Sequence, residues 1–234
     1  MLGSYVIDVK VGSFPQKIAS GFDLAFKGLT GADYKPIAYL GHQLVGNSTN
    51  HAILCEQNLI TREDIRNIVI VTINEKAGDL RGETLSVVDI KRVLCDKGQK
   101  FGGITISPTT EISSEAMKVF KKHFGENDLF GASNKPFAIL ATQIVNGIAY
   151  FFAVESTMFV APMSENGVVI SSGNNKSVVI VKMFEKFDEI QTKVILEGSA
   201  PIEEGDTSET SEDKTLGKVI IENNKKMLDY AFNW

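Results

Sequence analysis

Only two cysteines, Cys55 and Cys95, occur in the 234 residues. That is too few for a disulfide framework, so both read as reduced thiols and a packed core has to hold the fold. Long apolar runs are missing as well. The longest, Ile148 to Val154, has seven residues, against the roughly 18 to 20 that a membrane-spanning helix needs. The N-terminus has no basic start and places Asp8 and Lys10 inside its apolar patch, so no signal peptide, no membrane partner and a cytoplasmic location are expected. An excess of positive charge is lacking too. The net charge is −5, and the lysines and arginines are scattered rather than clustered, which argues against nucleic acid as a partner. His42, His51 and His123 have no metal-ligand spacing, with or without the cysteines, so no metal and no cofactor are expected. Gly102-Gly103 lacks the Lys and Ser/Thr of a phosphate-binding loop.

What is present is enough apolar material, 43% of residues, for a substantial core, arranged in an internal repeat. Residues 34–46 align without gaps on residues 134–146, and 6 of the 13 positions are identical. Upstream, Ile18, Ser20, Phe26 and Lys27 match Ile112, Ser114, Phe120 and Lys121; downstream, residues 68–76 match residues 178–186. Three blocks recurring in one order point to duplication, with longer connections in the second copy.

Each copy reads as one helix followed by strands. Ile18, Phe22, Ala25, Phe26 and Leu29 in the first copy, and Ile112, Ala116, Val119 and Phe120 in the second, fall on one helical face. Ser107-Pro108-Thr109-Thr110 is expected to cap and open the second helix, with Glu111 at its positive end and Pro15 placed as Pro108 is. Strands are predicted over residues 37–45, 50–57, 68–75 and 84–93, preceded by one over 5–11. The second copy has them over 137–145, 148–155, 176–184 and 190–196. Asn146-Gly147 reads as a tight hairpin turn, and residues 46–49 as a longer one. The fold class expected is α+β, in two tandem domains, each with one helix packed across an antiparallel sheet of four or five strands. The boundaries fall at residues 1–98 and 99–197. An acidic Ser/Thr linker follows over 198–214, the stretch from Glu197 to Asp213 holding seven carboxylates and no Lys or Arg, and then an apolar docking segment over 215–234.

These residues resemble the cystatins, inhibitors of papain-like cysteine proteases, with the disulfide-free stefin branch nearest. Gly102-Gly103 followed by Pro108 to Ile112 is similar to the cystatin trunk entering its helix. Gln143-Ile144-Val145-Asn146-Gly147 matches the family's Gln-x-Val-x-Gly hairpin, Ala149 to Phe152 follows like its next strand, and residues 181–187 resemble the strand entering its second hairpin. The resemblance implies a wedge that fills a protease cleft. Its binding residues would be Gly102, Gly103, Gln143, Ile144, Val145, Asn146 and Gly147, with Phe187 where the family carries Pro-Trp or Leu-Pro. The corresponding residues of the first copy would be Gly12, Gln43, Val45 and Gly46, its glycine one position early. Gly147→Trp is expected to abolish inhibition by blocking the approach to a cleft while leaving the fold mostly intact.

Other readings stay open beside this one. Gly102-Gly103 serves equally as an interdomain linker. The chain can be a non-inhibitory binding or assembly protein, a homodimer through its sheet edges or its C-terminal segment included, since one fold hosts many functions. An intracellular enzyme on a helix-on-sheet scaffold would need a buried carboxylate of raised pKa in a pocket. No catalytic constellation is visible: His51 and Cys55 are four strand residues apart, about 13 Å, and Cys55 reads as core packing.

Overall fold

A computed structural model describes residues 5–78, 85–96, 102–124, 132–158, 164–165, 168–169, 175–186, 189–198 and 219–221. The first sheet is formed by β1 (Tyr5–Val11), β2 (Ala32–Val45), β3 (Ser48–Leu59), β4 (Arg62–Lys76) and β5 (Ser86–Cys95), with α1 (Gln16–Phe26) between β1 and β2. Its spatial order follows the chain, β1-β2-β3-β4-β5, antiparallel throughout. Next come β6 (Ile104–Thr109), α2 (Ser114–Phe124), β7 (Ala132–Ile144) and β8 (Ile148–Met158). A small ribbon of β9 (Ser164–Glu165) and β10 (Val168–Val169) precedes β11 (Asn175–Lys186), β12 (Glu189–Gly198) and β13 (Val219–Ile221). The second sheet has the order β13-β12-β11-β8-β7-β6. By packing, the chain divides into two units, Met1–Thr110 with Leu140–Ile144, and Glu111–Ile139 with Val145–Trp234.

This architecture corrects the expected fold class. The chain is mostly β rather than α+β: antiparallel sheets of five and six strands carry most of the described residues, and the two helices have eleven residues each. Two local causes hid the extra strand content. Pro36 and Pro136 lie inside β2 and β7 instead of preceding them. Proline removes a ladder donor, and β2 tolerates this because its β1 neighbour reaches only to Ala38 opposite Val11, leaving Pro36 on an uncovered flank. The second cause lies at Ser107 to Thr109, expected as a helix cap but belonging to β6, the edge strand of its sheet, where a proline is tolerated. The cap of α2 is instead Ser113, whose Oγ accepts the Ala116 N–H at 3.2 Å, with Glu115 in the first turn and Lys121, Lys122 and His123 complementing the dipole in the last. Pro15, by contrast, does stand at the start of α1, its carbonyl accepting the Ala19 N–H at 2.9 Å.

Each helix seats its apolar stripe in a core of its own. Ile18 and Phe22 of α1 pack with Tyr39, Ile53, Cys55, Val69, Val71, Ile73 and Leu85. Ala116, Val119, Phe120 and Phe124 of α2 pack with Ile139, Phe152, Val154, Val181 and Met183. The second core is the more aromatic at its centre, where the Phe120 and Phe152 rings meet edge-on at 5.4 Å. Period-2 alternation places every second residue of β8 and β11 on this face.

Truncating the fully buried Phe152 to alanine is therefore expected to cost about 3 to 5 kcal/mol, read as a fall in the denaturant midpoint with near-unchanged slope. A loss below about 1 kcal/mol would contradict a Phe152-centred core.

Candidate functional site

The residues singled out in the second copy gather around the turn between β7 and β8. Val145, Asn146 and Gly147 connect Ile144 to Ile148, and the Val145 N–H donates to the Gly147 carbonyl at 3.1 Å. Asn146 has φ 51° and Gly147 φ 150°, conformations that a short-chain amide and a glycine adopt at low cost. Gly147 also lies directly against β11. A Cβ there would collide with the Glu185 carbonyl oxygen and come within 2.9 Å of the Phe184 ring. Gly147→Trp would consequently disturb the hairpin itself, which corrects the expectation that this substitution leaves the fold mostly intact.

Neighbouring strands anchor the turn on both sides. Ile148 is opposite Glu185, and Lys186 is opposite Glu189, so the β7–β8 turn and the paired ends of β11 and β12 share one end of the sheet. On the other flank the Gln143 side-chain amide donates to the Gly102 carbonyl at 2.6 Å, tying the segment before β6 to β7. Gln143 is thus a brace, Gly102 sits at φ 78°, and Gly103 leads half-buried into β6. Three apolar side chains remain outside any core: Ile144 is 72% exposed, Val145 48% and Ile148 41%. Phe187 lies outside the described residues.

In the first copy the equivalent residues separate. The β2–β3 hairpin has a two-residue turn, Gly46-Asn47, since Val45 pairs with Ser48. It is shorter than expected and tighter than its counterpart. Gly-Asn is itself a short-hairpin signal, and Gly46 supplies the positive φ of 58° at the first turn position. Ser48 Oγ donates to the Val45 carbonyl at 3.0 Å, Asn74 Nδ2 donates to Ser48 Oγ at 3.0 Å, and the Ala77 N–H donates to the Asn47 carbonyl at 2.8 Å. Gln43 is buried in β2 opposite Tyr5 and Asn50. Gly12 follows the far end of β1, seven strand residues away from the hairpin end, about 23 Å, and does not join Gln43, Val45 and Gly46.

The structure also assembles a polar chain that the sequence reading missed. Tyr39 of β2, His51 of β3, Glu75 of β4 and Lys17 of α1 connect in series: Tyr39 Oη to His51 Nδ1 at 3.0 Å, His51 Nε2 to Glu75 Oε2 at 3.0 Å, and Lys17 Nζ to Glu75 Oε1 at 2.6 Å. Burial holds His51 below its ordinary range and outweighs the opposing pull of Glu75, while His42 and Lys17 push the same way as burial. The imidazole is therefore neutral at pH 7, with Nε2–H donating to the carboxylate and Nδ1 accepting the tyrosine proton. Burial alone would raise Glu75, but the bonds from Lys17 and His51 together bring it below its usual value. Burial, reinforced by the Asp8 and Glu75 carboxylates, pushes the Tyr39 phenol up. Because the Tyr39 side chain is sealed in the core, no substrate reaches its hydroxyl, and the chain acts as a brace across four elements. The bulge between Tyr39 and Gly41 in the β2–β3 register brings Tyr39 to His51, and nothing in the residue spacing announces it.

Cys55 is likewise enclosed, its thiol directed to the Ile53 carbonyl at 3.8 Å and its pKa pushed up by burial, which removes nucleophilic character. Among the described residues no group of three His, Cys, Asp or Glu side chains could hold a metal ion, and no helix is long and apolar enough to cross a membrane. No protein-family model, curated protein or solved structure matches the chain.

Both His51 and Glu75 have folded-state pKa values below their ordinary 6.5 and 4.5, so the unfolded chain binds their protons more readily. Their contributions are intact above those values and are lost as pH falls, first below 6.5 through His51 and then below 4.5 through Glu75. Denaturant midpoints measured from pH 7.5 to 4 are expected to fall across this range, and Tyr39→Phe to cost about 1 to 2 kcal/mol at pH 7. A flat profile would remove the neutral-histidine assignment.

Proposed function

We propose that the chain is a protein-binding module whose contact element is the β7–β8 hairpin tip, and that it reversibly occludes the cleft of papain-like cysteine proteases. The observation carrying this reading is the exposed aliphatic group of Ile144, Val145 and Ile148 on a turn pinned from beneath by Glu185 and Phe184. A tip that is already ordered loses little conformational entropy on docking. Each aliphatic side chain contributes up to about 1.5 to 3 kcal/mol if docking buries it fully. Gln143 supports the tip through Gly102 rather than by touching the partner.

The protease class comes from the resemblance of Gln143 to Gly147 to the cystatin hairpin. Occlusion needs no chemistry from this chain, so the reading is of a binding protein and not an enzyme. In keeping with it, the Tyr39 and His51 side chains of the most catalytic-looking group are buried. Two free thiols fit a cytoplasmic setting.

Titrating papain and a cathepsin with the full chain, while following cleavage of a small fluorogenic substrate, tests the reading. Inhibition is expected, with Ile144→Asp weakening it at least about tenfold, equivalent to about 1.4 kcal/mol, at an unchanged melting temperature. No inhibition at about 10 µM would exclude binding stronger than roughly −7 kcal/mol and move the role to non-inhibitory binding or assembly.

A further inference from the structure

The apolar segment that follows the acidic linker is placed in part. Val219–Ile221 form β13 on the outer side of β12, with Val219 opposite Val194 and Ile221 opposite Thr192. The pairing is antiparallel, so the chain leaves β13 in the direction of Glu189. Ile190, two residues beyond Thr192, lies in one cross-strand row with Glu185 and Ile148. The strand therefore points to the end of the sheet that carries the β7–β8 tip.

Distance and composition agree with that heading. From Ile221 to Ile148 is two residues along the strands and three strand spacings across, a diagonal of about 16 Å, or about five extended residues. Residues 222–226, Glu-Asn-Asn-Lys-Lys, are wholly polar. Beyond them Leu228, Tyr230, Phe232 and Trp234 alternate with Asp229, Ala231 and Asn233. Large apolar groups at every second position give an extended segment one face that needs cover. At the end of the diagonal Ile144, Val145 and Ile148 are the large apolar side chains of the second sheet and its turns that stand exposed among the described residues.

We infer that residues 228–234 of the same chain lie over the β7–β8 tip, with the face of Leu228, Tyr230, Phe232 and Trp234 covering Ile144, Val145 and Ile148, and that a partner docking there displaces this cover. On the way, Lys225 and Lys226 pass the exposed Glu185, a pairing of opposite charge. A short tether keeps such a segment at an effective concentration of about millimolar order, so even a weak contact covers the tip. The inference goes beyond the docking reading and is independent of which partner the tip meets.

Trp234 is the only tryptophan, so its fluorescence in the full chain reports the contact. Its emission is expected to be blue-shifted, and its quenching by acrylamide several-fold weaker, relative to the chain unfolded in guanidinium. Both are expected to stay unchanged from about 1 to 100 µM, since an intramolecular contact does not depend on concentration. Ile144→Ser combined with Val145→Ser, and separately Ile148→Ser, are each expected to move both readouts toward the unfolded values, whereas Val88→Ser, at an exposed apolar site of the first sheet, leaves them unchanged. Circular dichroism and melting curves establish that the variants are folded. Trp234 quenched as in the unfolded chain, or protected but indifferent to the tip substitutions, overturns the inference. Protection that grows with concentration overturns it in favour of the segment of a second copy. Protease inhibition enters none of these readouts, so their failure leaves the docking reading in place.

Discussion

Cross-strand register is the constraint on which the two cores depend, and it is set at the hairpin turns. Side chains alternate between faces along a strand, so a slip of one residue would turn a whole apolar set outward. The Val45–Ser48 pair sets the β2–β3 ladder, and the bulge between Tyr39 and Gly41 then readjusts it. Without that bulge Tyr39 would lose Ile53 as its partner, and with it the route to His51. In the second sheet the β8–β11 ladder pairs Ile148 with Glu185, Phe152 with Val181 and Tyr150 with Met183.

From similar registers the two units reach different interiors. The first closes its core with a polar chain, in which a neutral histidine is held between a phenol and a carboxylate, itself neutralised by Lys17. Such a chain is stable only when every member is satisfied, since an orphaned buried polar group costs about 1 to 3 kcal/mol. In the second unit, Tyr150 faces the charges of Glu185 and Glu115. Burial first, and then these two carboxylates, raise its phenol, and the core relies on the rings of Phe120, Phe124 and Phe152. Both cores carry ring contacts, Phe22–Phe26 and Phe26–Tyr34 in the first and Phe120–Phe124 and Phe120–Phe152 in the second, and the first adds the polar chain.

A rigid turn and an exposed aliphatic tip are complementary properties. Packing beneath Gly147, the Gln143–Gly102 bond and the Asn74–Ser48 bond all act on the bases of the tips, leaving Leu44, Ile144 and Val145 outside. Side chains presented by a preordered backbone dock at a lower entropic cost than side chains on a loose loop. The functional reading therefore rests on how the strands hold the turns as much as on which residues occupy them.

Strand positions were largely legible, because β-branched and aromatic runs between turn residues report local propensity. Residues 5–11 were read as a strand and form β1 without change, and residues 148–155 became β8 with three residues added. The faces of both helices were legible too, since Ile18 and Phe22, and Ala116, Val119 and Phe120, mark stripes of helical period. What propensity misjudged was Pro36 and Pro108, which punctuate a chain locally but are accepted within a strand beyond a neighbour's reach or at a sheet edge. The predominance of β structure, the Tyr39–His51–Glu75–Lys17 chain, the bracing role of Gln143 and the closed space beneath Gly147 were decided only by the tertiary structure. Each depends on residues between about 10 and 60 positions apart meeting across strands, and a bulge or a proline on a free flank changes which ones meet without changing the periodicity that a sequence displays.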